Sequence, residues 1–418
     1  IREAFTGRSV WNSGKVYSSQ SQLVSTKGAD IRPDNSFNYS WRVRVWDETD
    51  TPSEWSSEAK FRAVPERLSS GQWIGAITRQ NAHLPKGRKF HGGELKKPEV
   101  KAAWEAVDTL AKKSICLRRT FQVGDATEGG ANRKPGKKIV EATAYVCGLG
   151  FYEFSLNGKK VGNSEFAPLW SDYDKTVYYN TYDVTEQLRR GENVVGILLG
   201  NGFYNVQGGR YRKLQISFGP PTLLFELVIN YEDGTCTTVH SDNEWKYDFS
   251  PVIFNCIYGG EDYDARREQK GWNQIGFDDS HWRPVVIQEA PKGILRPQMA
   301  APVKIMERYD IQKVTKLNAE QVASASVSTK RTVDPSAFVL DMGQNLAGFP
   351  EITVRGKRGQ KVTLIVAEAL TEEGACNQRQ TGRQHYYEYT LKGEGDEIWH
   401  PRFSYYGFRY IQVEGAVL

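Results

Sequence analysis

Clustered carboxylates are the residues of this chain best suited to chemistry. Asp172 and Asp174 lie in SDYD, Glu261, Asp262 and Asp264 in GEDYDAR, and Asp278 and Asp279 in FDDSHW. Two carboxyls facing each other across a sugar hydrolyse a glycosidic bond. A separation of about 5 Å gives retention of configuration, and roughly 6.5–9.5 Å gives inversion. Glu261, Asp262 and Asp264 also form the oxygen-rich set that a hard cation such as calcium takes. The competing assignment is structural, since Asp in a turn accepts N–H bonds from the backbone just after it.

Aromatic residues stand beside polar ones in the same stretches. Trp170, Asp172, Tyr173, Asn201, Phe203 and Tyr204, with Tyr211 nearby, have the composition of a sugar platform. The C–H face of a pyranose packs on indole or phenol, and its hydroxyls seek carboxylate and amide groups. The alternative is that these rings fill sandwich cores.

Other chemistries are not marked. There is no GxxxxGK[ST], HExxH or GxSxG. Gly200 and Gly202 lack the third glycine and the following helix of a dinucleotide site. The six histidines show no ligand spacing, and the five cysteines form no CxxC, which argues against both zinc and a disulfide scaffold. No cofactor is implied beyond a calcium ion at Glu261, Asp262 and Asp264.

The elements that must position these groups read as β structure. Residues 151–156 alternate, Asn157 and Gly158 form a type I′ hairpin turn, and a return strand follows from Val161. Residues 142–146 and 193–199 are apolar enough to be buried strands. Upstream, FNYSWRVRVW sets Tyr39, Trp41, Val43 and Val45 against Ser40, Arg42 and Arg44, the pattern of a half-buried strand. KPEVKAAWEAVDTLAKK breaks the β pattern. Its Val100, Trp104, Val107 and Leu110, with Pro98 near the start, predict a short amphipathic helix. Residues 124–138 read as a surface loop, and residues 283–302, with four prolines, as a linker. From Pro302 strands recur about every ten residues, as in a sandwich, and no long helical period is expected after about residue 115.

The whole chain bounds the answer. Its 418 residues suggest roughly three domains. A net charge of +5, with basic and acidic residues interspersed, leaves no nucleic-acid footprint. No apolar run approaches the roughly 18 residues of a membrane span. The opening IREAFTGRSVWNSG carries no signal-peptide pattern and reads as the middle of something longer.

Four blocks together resemble a known family. WNSGKV and YSWRVRVWDETDTPSEWS are similar to a fibronectin type III lead-in. GFYEFSLNGKKVGNSEFAPLWSDYDKTVYYNTYDVTEQLRRGENVVGILLGNGFY and IYGGEDYDAR resemble the N-terminal jelly roll of bacterial α-L-rhamnosidases. DMGQNLAGFPEITVRGKRGQKVTLIVAEAL and YTLKGEGDEIWHPRFSYYGFRYIQVEG resemble their concanavalin-like domain. The resemblance implies an all-β chain: an incomplete fibronectin type III-like sandwich over 1–66, a jelly-roll sandwich over 67–301 with an insertion at about 80–140, and a concanavalin-like sandwich over 302–418.

In that family the catalytic acid and base sit on a helical α/α barrel after the last block, so the resemblance assigns catalytic residues to no position of this chain. It implies an accessory half of an inverting α-L-rhamnosidase, secreted or periplasmic. Its partners would be rhamnose-containing glycans and the downstream barrel, with a homodimer left open. Two other readings stand beside it: a stand-alone carbohydrate-binding module, and a self-contained glycosidase using the GEDYDAR or SDYD carboxylates. An exposed apolar patch near the C terminus, an aromatic cleft, or two facing carboxyls would favour the three in turn.

Overall fold

The computed structural model describes residues 1–4, 6–22, 24–31, 38–63, 68, 71–86, 89–124, 137–211, 214–381 and 384–417. Most of the predicted loop at 124–138 lies outside the described residues. The described chain is built of strands, with two short α-helices.

The lead-in contributes an antiparallel sheet of Arg2–Glu3, Asn38–Trp41 and Ala59–Arg62. The predicted ten-residue strand is shorter than expected, ending at Trp41. Of its expected half-buried face only Tyr39 is buried, while Trp41, Val43 and Val45 are exposed. Beyond Trp41 the chain stays loosely laddered through Ser56 N–H to Val43 O and Ser53 N–H to Val45 O, both 2.8 Å. Arg42 and Arg44 turn back over the Trp55 ring, each 4.7 Å from its centroid. Cation–π contact thus takes the place of a covering sheet.

The first sandwich stacks two sheets. One runs Val286–Ile287, Ile74–Gly75, Thr222–Tyr231, Ile139–Leu149, Thr176–Asp183, Ile294–Pro297, with Cys236–His240 beside Thr222–Tyr231. The other runs Arg283–Pro284, Lys246–Phe249, Ile115–Val123, Gly191–Leu199, Tyr152–Leu156, Lys159–Lys160. Side chains alternate along Ile139–Leu149. Ala142, Ala144 and Val146 enter the core between the sheets, packed with Leu117, Phe225 and Trp245. Tyr145, Cys147 and Leu149 face outward into a second layer with Tyr179 and Tyr204. A strand covered on both faces reads as an unbroken apolar run, as this one does. The predicted turn is present: Asn157 and Gly158 have φ of 52° and 83°, which type I′ geometry requires.

The predicted linker at 283–302 is instead structural. It supplies strands Arg283–Pro284, Val286–Ile287 and Ile294–Pro297, which lie at sheet ends. Its prolines misled the reading, because an edge strand tolerates a missing N–H that a central strand does not. The predicted helix forms over Pro98–Glu105 with proline in its first turn, followed by a 3-10 turn at Thr109–Lys112. Trp104, Val107 and Ala111 bury against Ile77 and Ala82.

The second sandwich centres on one seven-stranded sheet. Its order is Val252–Cys256, Gly260–Asp264, Tyr386–Thr390, Lys361–Ala367, Tyr406–Glu414, Phe338–Gly348, Lys313–Lys316. The first two strands come from the segment that the sequence reading placed in the 67–301 jelly roll. They cross over, Gly260–Asp264 pairing in parallel with Tyr386–Thr390, so the two sandwiches share backbone hydrogen bonds. One face of the sheet is covered by the helix Ala319–Thr329, whose Ala325 packs near Ile365 and Ala367. This 11-residue helix lies beyond residue 115, where no long helical period was expected. It starts with a full capping box, Asn318 and Gln321 each bonding the other's backbone. The other face presents Leu340, Leu364, Phe408 and Ile411. There, among the described residues, the paired strands opposite are Ile352–Val354 and Glu397–Trp399.

Candidate functional site

Glu261, Asp262 and Asp264 sit on one strand, so alternation sends Glu261 to one side and the two aspartates to the other. Glu261 is fully buried. Its two oxygens accept the backbone N–H groups of Arg402 (2.9 Å) and Phe403 (2.8 Å). Burial nevertheless pushes its carboxyl up to about 8, against the pull of those two donors and of the Arg402 charge. Asp262 pairs with the Arg210 guanidinium, which also donates to Tyr386 O at 3.0 Å and lies over the Tyr386 ring at 3.5 Å.

Asp264 accepts from Arg266 Nε (2.8 Å) and Nη2 (2.9 Å) and from the Arg266 backbone N–H, capping the turn Ala265–Arg267. The Arg266 bonds hold its pKa below the usual carboxylate range. The three predicted metal ligands are therefore engaged by separate protein donors rather than gathered around one point. Among the described residues no three His, Cys, Asp or Glu side chains are grouped to hold a metal ion.

The other carboxylates are also structural. Asp172 is exposed on a turn, accepting the Asp174 N–H at 3.3 Å and facing Lys175 Nζ at 3.2 Å. Asp278 accepts the Ser280 N–H at 2.9 Å. Asp279 pairs with Lys246 and with buried Arg118. Arg118 also holds the carbonyls of Phe277 (3.2 Å) and Gln274 (3.1 Å), pinning that loop to the sandwich. Asp278 alone of the group lines an open depression of about 680 Å³ beside Phe277 and His281.

The predicted sugar platform divides. Tyr173, Asn201 and Tyr204 are core residues. Tyr173 packs against Tyr204 and Phe218, with centroids 5.1 and 5.2 Å apart. Tyr204 Oη donates to Phe218 O and accepts from Arg79. Asn201 welds the two sandwiches: its N–H donates to Asn255 Oδ1 (2.7 Å) and its amide to the carbonyls of Lys112 (2.9 Å) and Asn255 (3.1 Å). Beside it, a Cβ on Gly200 would lie 2.4 Å from the Phe403 ring, which explains the glycine there.

Trp170 and Phe203 do come together at the surface. Trp170 is 65% exposed, and its ring lies 5.8 Å from Phe203. The row continues through Tyr258, 6.0 Å from Phe203, to Tyr211, stacked on Tyr258 at 4.8 Å. Tyr258 was missed because its partners lie some fifty residues away in sequence. Asp172 is close to Trp170 only along the chain; no contact joins it to the row.

A second feature has no counterpart in the predicted residues. A trough of about 1170 Å³ opens on the second sandwich. Leu340, Leu364, Phe408 and Ile411 form its floor. Residues 303–311 make one wall, Ile352 and Val354 the other, and Ala416 and Val417 reach its end. Val303, Ile305, Tyr309 and Ile311 are 42–47% exposed, and Met306 is 83% exposed. None of the seven clustered carboxylates lines it. The trough thus places an apolar patch on the surface beside Ala416 and Val417.

A small three-stranded lead-in and two interlocked sandwiches, carrying an aromatic row and an apolar trough, define a multidomain all-β protein. Three family models match it in this order: "Rha78A-like, N-terminal immunoglobulin domain" over residues 2–64, "Alpha-L-rhamnosidase N-terminal domain" over 137–307, and "Bacterial alpha-L-rhamnosidase concanavalin-like domain" over 331–418. The chain belongs to the α-L-rhamnosidase family.

It is 34% identical to an alpha-L-rhamnosidase of Formosa agariphila, over 98% of this chain and 40% of that protein. The solved alpha-L-rhamnosidase of Dictyoglumus thermophilum is 30% identical with a TM-score of 0.77, over 98% of this chain and 41% of the other. That of Streptomyces avermitilis, solved with L-rhamnose, is 26% identical with a TM-score of 0.77, over 98% and 51%. The chain thus spans about two fifths of the curated relative's length.

Proposed function

We propose that these residues form the accessory, β-rich half of an inverting α-L-rhamnosidase that removes terminal rhamnose from glycans outside the cytoplasm, with acid and base on a helical barrel that follows. The trough carries this reading. An apolar surface of this size, walled by an exposed apolar segment, suits docking against another protein layer better than it suits a sugar, whose hydroxyls need polar partners. Engagement of the GEDYDAR carboxylates by Arg210, Arg266 and backbone N–H groups supports the same reading.

The test is hydrolysis of an aryl α-L-rhamnoside by this chain beside a version extended past Leu418 along its natural reading frame. Activity in the extended version alone is expected. Turnover by the 418-residue chain would overturn the reading, and Asp278, which lines an open depression, would be the first residue to replace.

The aromatic row favours a second role within the first. Trp170, Phe203, Tyr258 and Tyr211 offer stacked, partly exposed rings to the apolar face of a pyranose, so the accessory half would also hold glycan.

A further inference from the structure

We propose that the open depression formed by residues 269–281 is a binding site for a neutral sugar, separate from the aromatic row and built wholly from one loop of the first sandwich. Its volume is about 680 Å³. It shares no residue with the row, and it does not depend on the accessory reading.

The loop is held in shape before any ligand arrives. Within it, Trp272 N–H donates to Gln269 O (3.1 Å), Gln274 N–H to Gly271 O (2.8 Å) and Trp282 N–H to Asp279 O (3.0 Å). From beneath, buried Arg118 holds the Gln274 and Phe277 carbonyls and pairs with Asp279. Asn273 Nδ2 donates to Ser155 Oγ at 3.0 Å, which ties the loop to the strand Tyr152–Leu156. At the far side, Gln269 accepts from Trp282 Nε1 (2.9 Å) and donates to Asp248 (2.6 Å). Trp272 stacks on Trp282 with centroids 6.0 Å apart. A depression fixed at so many points pays little ordering entropy on binding.

The polar groups that line it are left for a ligand. Among the described residues, the side chains of Lys270 and Gln274 have no hydrogen-bond or ion-pair partner, and both are exposed to the depression. Asp278 uses Oδ1 on the Ser280 N–H at 2.9 Å and keeps further acceptor capacity. That bond holds its pKa below the usual carboxylate range, so it is an acceptor only at neutral pH. His281 stands at the rim, its Nε2 3.4 Å from Gln269 Oε1. Beside these groups Ile275 and Phe277 are half-buried and supply apolar contact.

This set selects the ligand class. A cationic donor, a carboxylate acceptor and an amide that does both match hydroxyl groups, each of which donates and accepts. An anion such as phosphate would meet the Asp278 carboxylate. A hard cation would find that one carboxylate alone in the lining. A neutral pyranose satisfies both signs and lays its C–H surface on Ile275 and Phe277.

The experiment is fluorine NMR of the 418-residue chain labelled with fluorotryptophan, titrated with methyl α-L-rhamnoside, methyl β-D-glucoside, D-glucuronate and inorganic phosphate. Trp272, assigned by its substitution to Phe, reports the depression, and Trp170 reports the aromatic row. A saturable shift of the Trp272 signal is expected with at least one neutral glycoside. Lys270→Ala and Asp278→Asn are each expected to move its midpoint to at least about fivefold higher concentration, the loss of a charge-assisted hydrogen bond. Trp170→Ala is expected to leave that midpoint in place.

Both replaced side chains are exposed, and Asn keeps an acceptor for the Ser280 N–H, so melting temperatures are expected to match that of the native chain. No saturable shift at Trp272 with either neutral glycoside would overturn the proposal. So would tighter binding of glucuronate or phosphate at Trp272, or a midpoint that neither loop variant moves.

Discussion

The strand Ile139–Leu149 of the first sandwich and the strand Lys361–Ala367 of the second are both buried on two faces, but by different kinds of neighbour. The first lies between a complete opposing sheet and an aromatic layer containing Tyr145, Tyr179 and Tyr204. The second has the helix Ala319–Thr329 on one side. On the other it has two short paired strands and a trough. A sandwich closed by its own strands is a self-sufficient core. One that leaves part of its apolar floor uncovered among the described residues exposes surface on which another layer can pack. The two are not separable units, because Val252–Cys256 and Gly260–Asp264 belong to the second sheet while the chain around them belongs to the first.

The largest effect that sharpens this comparison is in the closed core. Phe225 is fully buried between Phe154 and Trp245, so Phe225→Ala should cost about 3–5 kcal/mol in urea unfolding. Ile305→Ala in the trough wall of the same chain should cost less than about 1 kcal/mol, because its side chain is already 42% exposed. Equal losses at the two sites would erase the distinction.

An intermediate effect lies at the seam. Glu261→Gln should cost roughly 1–3 kcal/mol, since an amide cannot accept both the Arg402 and Phe403 N–H groups. It should also change the pH dependence. Glu261 in the unfolded chain releases its proton near 4.5 and in the folded chain near 8. Its contribution to stability is therefore complete below about 4.5 and is lost as pH rises through 8. Melting curves across that range should fall more steeply for the native chain than for Glu261→Gln.

The smallest effect on folding belongs to Trp170. Its removal as Trp170→Ala should shift stability by no more than about 0.5 kcal/mol. Affinity for rhamnosyl oligosaccharides, measured by calorimetry, should nevertheless drop severalfold. Unchanged affinity would remove the aromatic row from the functional account.

What could be read from residues alone was local. Asn157 and Gly158 mark their turn, Pro98 marks its helix, and apolar runs mark strands covered twice. The errors at the candidate site share one cause, which is that the deciding partner lies far along the chain. GEDYDAR looks like a cation site until Arg210 and the Arg402 backbone are placed against it. Asn201 looks like a sugar ligand until Asn255 meets it. Strand pairing across more than a hundred residues leaves no periodic signature, so the crossover of Gly260–Asp264 onto Tyr386–Thr390 was invisible. The helix Ala319–Thr329 did carry a signal in Asn318 and Gln321, but its Ala- and Ser-rich face has too few large apolar residues to show a helical stripe.

The contrast between a closed and an open sandwich is tested most directly by titrating the 418-residue chain and its extended version with the fluorescent probe ANS, which brightens on exposed apolar surface. The account predicts strong enhancement with the 418-residue chain and its near-complete loss in the extended one, where the trough is filled. Equal enhancement in both, or none in the shorter chain, would contradict it.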